Sequence, residues 1–414
     1  MPEHMPIYMG DKAVEEFVQF CCERGDTRFM LVADENTYRV LGSRVHEAIR
    51  EQGWDVLDIV FNPEGLHAEN ISLARTFARY DGQPRTFVGV GSGTITDITR
   101  FTSHRSRNPF ISFPTAASVD AYASINAPVT IGDLKGSIYC QAPIAIFTDI
   151  GTIVESPGWL TASGFGDLTS KFTSASDWKF TKLIWGADFD EDIYRRALAA
   201  AKKAADAVDG IAANDPASME KLMEGQFEGG FCMADFGNSA PASGGEHHIA
   251  HIWEMMYHWA GREGLYHGNA VGVAAIIEAG WFEKLRALPK EDARKLLDEF
   301  VLPERETQET ALRENFPEIA EELIEKEPIF FQLADGKVLA EVKRKILDQW
   351  DALQTIAQNV PPADAFRSWQ RKLGGPVAPG ELGLTMDQAA TAVEYGHYLR
   401  ERFSMNILRK LFEW

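Results

Sequence analysis

The chain has 414 residues, 45% of them apolar and 25% charged, and a formal net charge of −20. This is the make-up of a globular protein long enough for two domains. So negative a chain argues against nucleic acid or an anionic membrane as the main partner, no apolar run is long enough for membrane insertion, and an anionic substrate has to be held by a local exception. Four cysteines without CxxC spacing, and no basic-then-apolar leader, fit a reducing compartment and a cytoplasmic enzyme rather than a disulfide framework.

The first 150 residues alternate between two periods. Residues 29–33 (FMLVA) read as a buried strand, 37–52 as a helix and 56–61 as a strand. Residues 69–80 read as a helix and 86–90 (TFVGV) as a strand, and 110–113 and 144–148 complete the strand set. Strands alternating with helices predict a parallel, Rossmann-like sheet with helices on both faces, which binds ligands at the carboxyl ends of its strands. After about Pro157 the character changes. Residues 160–209, 216–231 and 244–287 are helix-rich, followed by 291–299, 317–326, 338–358 and 387–412. Pro216 behind Asp215 has the look of a first helical position behind its cap. The expectation is an α/β domain over 1–155 and an all-α domain over 156–414, divided near GTIVESPGW.

The strand TFVGV runs into GSGTITDITRF, residues 91–101. Gly91 and Gly93 permit close backbone approach, and a helix starting near Thr94 offers free N–H groups to a pyrophosphate. The same glycines also suit an ordinary turn. The order is not that of a Rossmann fingerprint, whose acid follows its glycines. Here the acidic candidate, Asp34 in LVADENTY, precedes them at the end of the first strand. It reads either as a ribose ligand or as the cap of the next helix. Residues 110–124, FISFPTAASVDAYAS, are strand-like and then rich in small residues, with hydroxyls at Thr115, Ser118 and Ser124.

Five of the ten histidines fall between His247 and His267, in SGGEHHIAHIWEMMYHWAGREGLYHG. Ser243 and Glu246 have the spacing of a capping box, so a helix is predicted from near Gly244. On it His247 and His251 share a face, and His248 points elsewhere. His258 returns to the stripe about 10 Å beyond His251, at ~1.5 Å per residue, too far to share one metal with it. His267 precedes Gly268, at the start of a second helix that can fold back. The i,i+4 pair reads as a metal site or as a surface coincidence. HExxH is absent, and a catalytic metal would need a third ligand from elsewhere.

Together, ADENTY, GVGSGTITDITRF, PTAASVDAYAS, ASGFGDLTSKFTSASDW, PASGGEHHIAHIWE and HGNAVGVA, in that order from Ala33 to Ala274, resemble the sn-glycerol-1-phosphate dehydrogenase family. That family lies within the superfamily of iron-containing alcohol dehydrogenases, glycerol dehydrogenases and dehydroquinate synthases, and the likeness is to its bacterial, NAD-linked branch. The resemblance implies a dinucleotide-binding first domain and a metal- and substrate-binding second one. It implies one divalent metal (zinc, nickel or iron) on Asp167, His247 and His267, and His251 beside the substrate or the nicotinamide. Asp120 would touch the substrate hydroxyls. Asp34, Gly91, Gly93, Thr94, Ile95, Asp97, Thr115, Ser118 and Ser124 would line NAD, with NADP less favoured. By itself the GFGD turn would make Asp167 a helix cap.

The implied reaction is reversible reduction of dihydroxyacetone phosphate to sn-glycerol 1-phosphate by NADH, in a homo-oligomer, expected as a dimer. A glycerol or other small-polyol dehydrogenase of the same superfamily is the alternative, and a non-catalytic dinucleotide- or metal-binding scaffold a distant third. Lys135, Lys171 and Lys179 are the basic candidates for a substrate phosphate. Two departures from the family pattern stand out. Gly245 occupies a position where serine is frequent, and Cys140 and Gln141 stand where small and basic residues are expected.

Overall fold

The structure is a computed structural model that describes residues 5–132, 134–262 and 264–414. Its contacts form two compact units, each drawn from separate stretches. The first takes the chain up to Leu168, then Lys202–Ser239 and Lys372–Gly374; the second takes Thr169–Ala201, Ala240–Arg371 and Gly375–Trp414. The stretch 202–239, with its helix Pro216–Phe236, therefore belongs to the first unit although it lies well beyond residue 155.

The first unit is built on eight strands: β1 (Ile7–Met9), β2 (Arg28–Asp34), β3 (Asp55–Phe61), β4 (Thr86–Gly91), β5 (Phe110–Pro114), β6 (Asn126–Ile131), β7 (Leu134–Tyr139) and β8 (Ala145–Thr148). Six form one sheet in the order β1-β8-β5-β4-β2-β3, every pairing parallel. β6 and β7 form a separate antiparallel hairpin. Side chains alternate faces along a strand. Phe29, Leu31 and Ala33 of β2 thus enter one core layer with Phe17, Val88, Phe113 and Phe147. Met30 and Val32 enter the other, with Phe87, Ile98 and Phe110. Burial on both faces is why the central strands read as unbroken apolar runs. Phe17, on the helix Ala13–Arg24, meets the rings of Phe29, Phe113 and Phe147 edge-on at 5.9, 5.2 and 5.9 Å.

The chain runs from β2 outward to β3, crosses back to β4 on the other side of β2, and continues away through β5 to β8. The order reverses between β2 and β4, and the carboxyl ends of those two strands flank the crevice where parallel sheets hold ligands.

The predicted strands of the sheet are present, within a residue or two at their ends. β1 and the hairpin were not foreseen. β1 is a three-residue, half-buried edge, and the hairpin lies outside the six-stranded sheet, with a single isolated bridge from Thr130 to Glu69. The helix expected over 37–52 opens instead with a π-helical turn at Tyr38–Gly42 and becomes α-helical over Ser43–Glu51.

All regular elements described in the second unit are helical. The helix-rich stretch 387–412 is two helices, Met386–Tyr395 and Met405–Leu411, with a break after Tyr395. Residues 338–358 divide at Gln349, and Arg305–Asn315 is an additional helix. Among the described residues, no helix is long and apolar enough to cross a membrane. All four cysteines are free.

Candidate active site

Asp34 ends β2 and Gly91 ends β4, one on each side of the reversal. Asp34 Oδ1 accepts from Asn36 N at 2.8 Å and Thr37 N at 2.9 Å, and Asp34 N donates to Thr37 Oγ1 at 3.0 Å. The capping role is therefore real, and both capping bonds fall on a single oxygen of a half-buried carboxylate. At Gly91 a Cβ would lie 2.5 Å from Ile95 Cβ, so the strand-to-helix turn closes only around glycine. Ile95 itself is 1% exposed and packs in the core. Gly93 opens the helix Gly93–Arg105, and the Ser92 side chain makes no capping bond to that first turn. Thr94 and Asp97 lie half-buried there. Asp97 Oδ1 accepts from Arg100 Nη1 at 2.9 Å. Arg100 is fully buried and donates onward to the carbonyls of Ala121, Tyr122 and Asn126. Asp97 thus balances a buried guanidinium that braces the small-residue loop.

In that loop Thr115 is buried beside the end of β4, its N donating to Gly91 O at 3.3 Å. The Ser118 hydroxyl is 3.0 Å from Tyr122 Oη, which donates to Ala116 O at 2.6 Å. Ser124 Oγ accepts from Asn126 N at 3.0 Å. These two hydroxyls hold the loop's own shape. Asp120 and Asp167 are brought together: Asp120 N donates to Asp167 Oδ2 at 2.9 Å, and both are buried. Asp167 is on the helix Gly158–Thr169 and is not a turn cap. That helix reaches the loop at Gly164, where a Cβ would lie 1.9 Å from Ala117 O. Gln226, on Pro216–Phe236, donates to the same carbonyl at 3.1 Å, and Gly229 passes under Asp120 with room for no more than a tight Cβ, 3.3 Å from its Oδ2.

In the second unit the predicted helix is Gly245–Trp259, but its N-cap is Gly244 rather than Ser243. Glu246 Oε1 accepts from Gly244 N at 2.9 Å, so the expected box is only half formed, one residue along. His267 opens the next helix, His267–Ala287. The rings of His247, His251 and His267 converge, with centroids 5.9 Å apart for His247–His251 and 5.3 Å for each pair with His267. His247 Nδ1 is 2.7 Å from Glu246 Oε1, and His267 Nδ1 is 2.7 Å from Glu254 Oε1. A carboxylate on Nδ1 selects the tautomer whose lone pair is on Nε2, the form that ligates a metal. The donor set therefore suits a borderline divalent cation. His248 faces away; burial, then Arg402 and Arg400, push its pKa well below the ordinary histidine range, so it is neutral. His258 is exposed.

Of the basic candidates, Lys179 is bonded to Glu191 at 3.1 Å and lies over the Tyr194 ring at 4.4 Å. Lys171 is fully buried and donates to Ala242 O at 3.1 Å. The side chain of Lys135 lies outside the described residues. Cys140 is core, its thiol pushed up to about 11 by burial, and Gln141 donates to Asn108 O at 2.7 Å. Glu254, Gln226, Gly164 and Gly229 were missed in the sequence. Glu254 alone carried a signal, three residues after His251 on the same helical face.

Residues 8–157 match the family described as iron-containing alcohol dehydrogenase. The chain is 29% identical over 402 residues to the glycerol-1-phosphate dehydrogenase (NAD(P)+) of Halalkalibacterium halodurans, covering 96% of this chain and 90% of that protein. The enzyme of that name from Pyrococcus furiosus is 30% identical over 274 residues, covering 66% and 77%. Among solved structures, an alcohol dehydrogenase from Oenococcus oeni superposes with a TM-score of 0.63 at 14% identity, covering 99% of this chain and 97% of that one, a likeness of fold. The chain belongs to the glycerol-1-phosphate dehydrogenase family, within the iron-containing alcohol dehydrogenases.

Proposed function

We propose that this protein reversibly reduces dihydroxyacetone phosphate to sn-glycerol 1-phosphate with NADH, and that Asp167, His247 and His267 hold one zinc, nickel or ferrous ion. The observation that carries the reading is the pair of imidazoles, 5.3 Å apart, each with its Nδ1 engaged by a glutamate. A ketone becoming an alkoxide gains negative charge on oxygen, and a bound divalent cation supplies Lewis acidity there. The chain's own work is to place and protonate. His251 is buried one helical turn from His247 and stacked on His267, a position from which it moves the proton to the product oxygen. Asp120, braced through its amide by Asp167, receives the substrate hydroxyl. At the sheet reversal Asp34 keeps one carboxylate oxygen outside its capping bonds for the adenine-ribose hydroxyls, and the turn Gly91–Gly93 admits the pyrophosphate.

The test is NADH oxidation with dihydroxyacetone phosphate and with unphosphorylated dihydroxyacetone. The phosphorylated ketone is expected to be preferred by at least about 100-fold in kcat/KM, ~2.7 kcal/mol of transition-state binding. A preference for the unphosphorylated ketone would make the protein a small-polyol dehydrogenase instead.

A further inference from the structure

The first turn of the helix that carries His247 rests on three carboxyl groups from three helices. Glu246, on the helix itself, accepts from Gly244 N. Asp177, on Lys171–Phe180, accepts from Gly245 N at 2.8 Å and from Met405 N at 2.7 Å. Glu278, on His267–Ala287, accepts from Glu246 N at 2.9 Å. Three successive N–H groups that a helix start leaves without intrahelical partners are thereby satisfied by side chains. The two glycines make this approach possible. A Cβ at 245 would lie 2.6 Å from Glu278 Oε1, and one at 244 would lie 2.7 Å from Ser174 Cα.

All three carboxyls are buried, Glu246 and Glu278 at 0% and Asp177 at 1% exposure, and each offers an oxygen within 4.8 Å of the other two. Arg402 is near enough for Glu246 and Asp177 to act on its charge, and Arg409 for Glu278, yet two guanidinium groups do not balance three carboxylates. Among the described residues, two of the six oxygens have no hydrogen-bond partner, Glu246 Oε2 and Glu278 Oε1. One proton between them satisfies both and removes one charge. A cation would need more oxygen ligands than these two. Desolvation, then Asp177 and Glu246, push Glu278 well above the ordinary carboxyl range. Glu246 accepts from Gly244 N and stands 2.7 Å from His247 Nδ1, and Asp177 accepts from two backbone N–H groups, whereas Glu278 accepts from one; donors favour the charged carboxylate, so the proton is placed on Glu278.

We propose that Asp177 and Glu278 are positioning residues for His247, clamping the first helical turn so that Glu246 stays on Nδ1 and the ring offers Nε2. Within the clamp Glu278 is a donor, a carboxylic acid against Glu246 Oε2. The proposal rests on His247 being a metal ligand.

The experiment measures the zinc dissociation constant of the reloaded protein by competition with a chromophoric chelator, with far-UV circular dichroism as the check on folding. Glu278→Gln keeps a donor for Glu246 Oε2 and an acceptor for Glu246 N, and is expected within about threefold of the parent. Glu278→Leu removes both and should weaken zinc binding by about 10- to 100-fold with the helical signal unchanged. If Glu278→Leu does not fold, Gly245→Ala takes its place, because its methyl group displaces the same carboxyl. A folded Glu278→Leu (or Gly245→Ala) protein binding zinc within threefold of the parent overturns the proposal. So does a Glu278→Gln protein as impaired as the Leu variant. Undiminished zinc affinity in His247→Ala would instead remove the metal reading, and the clamp with it.

Discussion

At the scale of single residues, the histidines were legible and the distant residues that brace the site were not. Spacing alone puts His247 and His251 on one helical face and His267 at the next helix start. Glu278 and Gln226 act on backbone groups 32 and 109 residues away in sequence, and no local pattern announces such contacts. The ligand assignment has a built-in competitor, because His251, Glu254 and His267 also offer donor atoms within 4.8 Å of one another. Chelation should abolish turnover, and zinc, nickel or iron should restore it. His267→Ala should lose most of its metal, whereas His251→Ala should keep it and lose turnover. Metal analysis of the purified variants decides the matter: an empty site in His251→Ala would move the metal to the competing set. Asp34 makes a second residue-level case. It caps the turn after β2, so Asp34→Gly gives up the side-chain cap, a few tenths of a kcal/mol and a slightly lower Tm. If it also binds ribose, the same change should weaken NADH and improve NADPH, whose extra phosphate no longer meets a like charge. A lower Tm with no change in cofactor preference would leave Asp34 as a cap only.

At the scale of elements, the sheet was readable because its central strands are buried on both faces and appear as apolar runs. The hairpin β6–β7 was not, because its strands mix polar and apolar residues and face partly outward. The glycine loop was read as a site for phosphate, and the structure adds a packing reason for its first glycine. Gly91→Ala places a methyl group 2.5 Å from Ile95 Cβ. It should cost about 1–3 kcal/mol through overpacking, and should raise the dissociation constant for NADH by shifting the helix start. Ile95→Ala alone should cost about 2–5 kcal/mol as a cavity. In the double variant the added methyl group fills part of the space that is lost, so urea denaturation should show a combined cost below the sum of the two. Simple additivity would mean that Gly91 and Ile95 are not packed against one another as described.

At the scale of the whole chain, length suggests two domains and a reading along the sequence expects one cut between them, whereas the contacts return 202–239 to the first unit. Helical periodicity says that such a segment has an apolar face, not which core receives it. Composition also carries a prediction about pH. The charge of −20 makes compact states self-repelling near neutrality, a contribution that salt screens. The buried carboxyls add one that salt does not reach. Asp177 is pushed up to about 7 by burial and then by Glu246. A carboxyl raised in the folded state contributes stability that is complete below its unfolded pKa and is lost as pH rises through the folded value. In the metal-free protein Tm should therefore fall between about pH 5 and pH 8, and added salt should flatten only part of that slope. The remainder should shrink in Asp177→Asn, whose side chain has no proton to lose, measured against its own value at about pH 5. Metal binding depends on pH in its own right, because ligands must be deprotonated to bind, so a chelator must be present throughout. A Tm independent of pH in high salt would mean that the buried carboxyls do not titrate in this window.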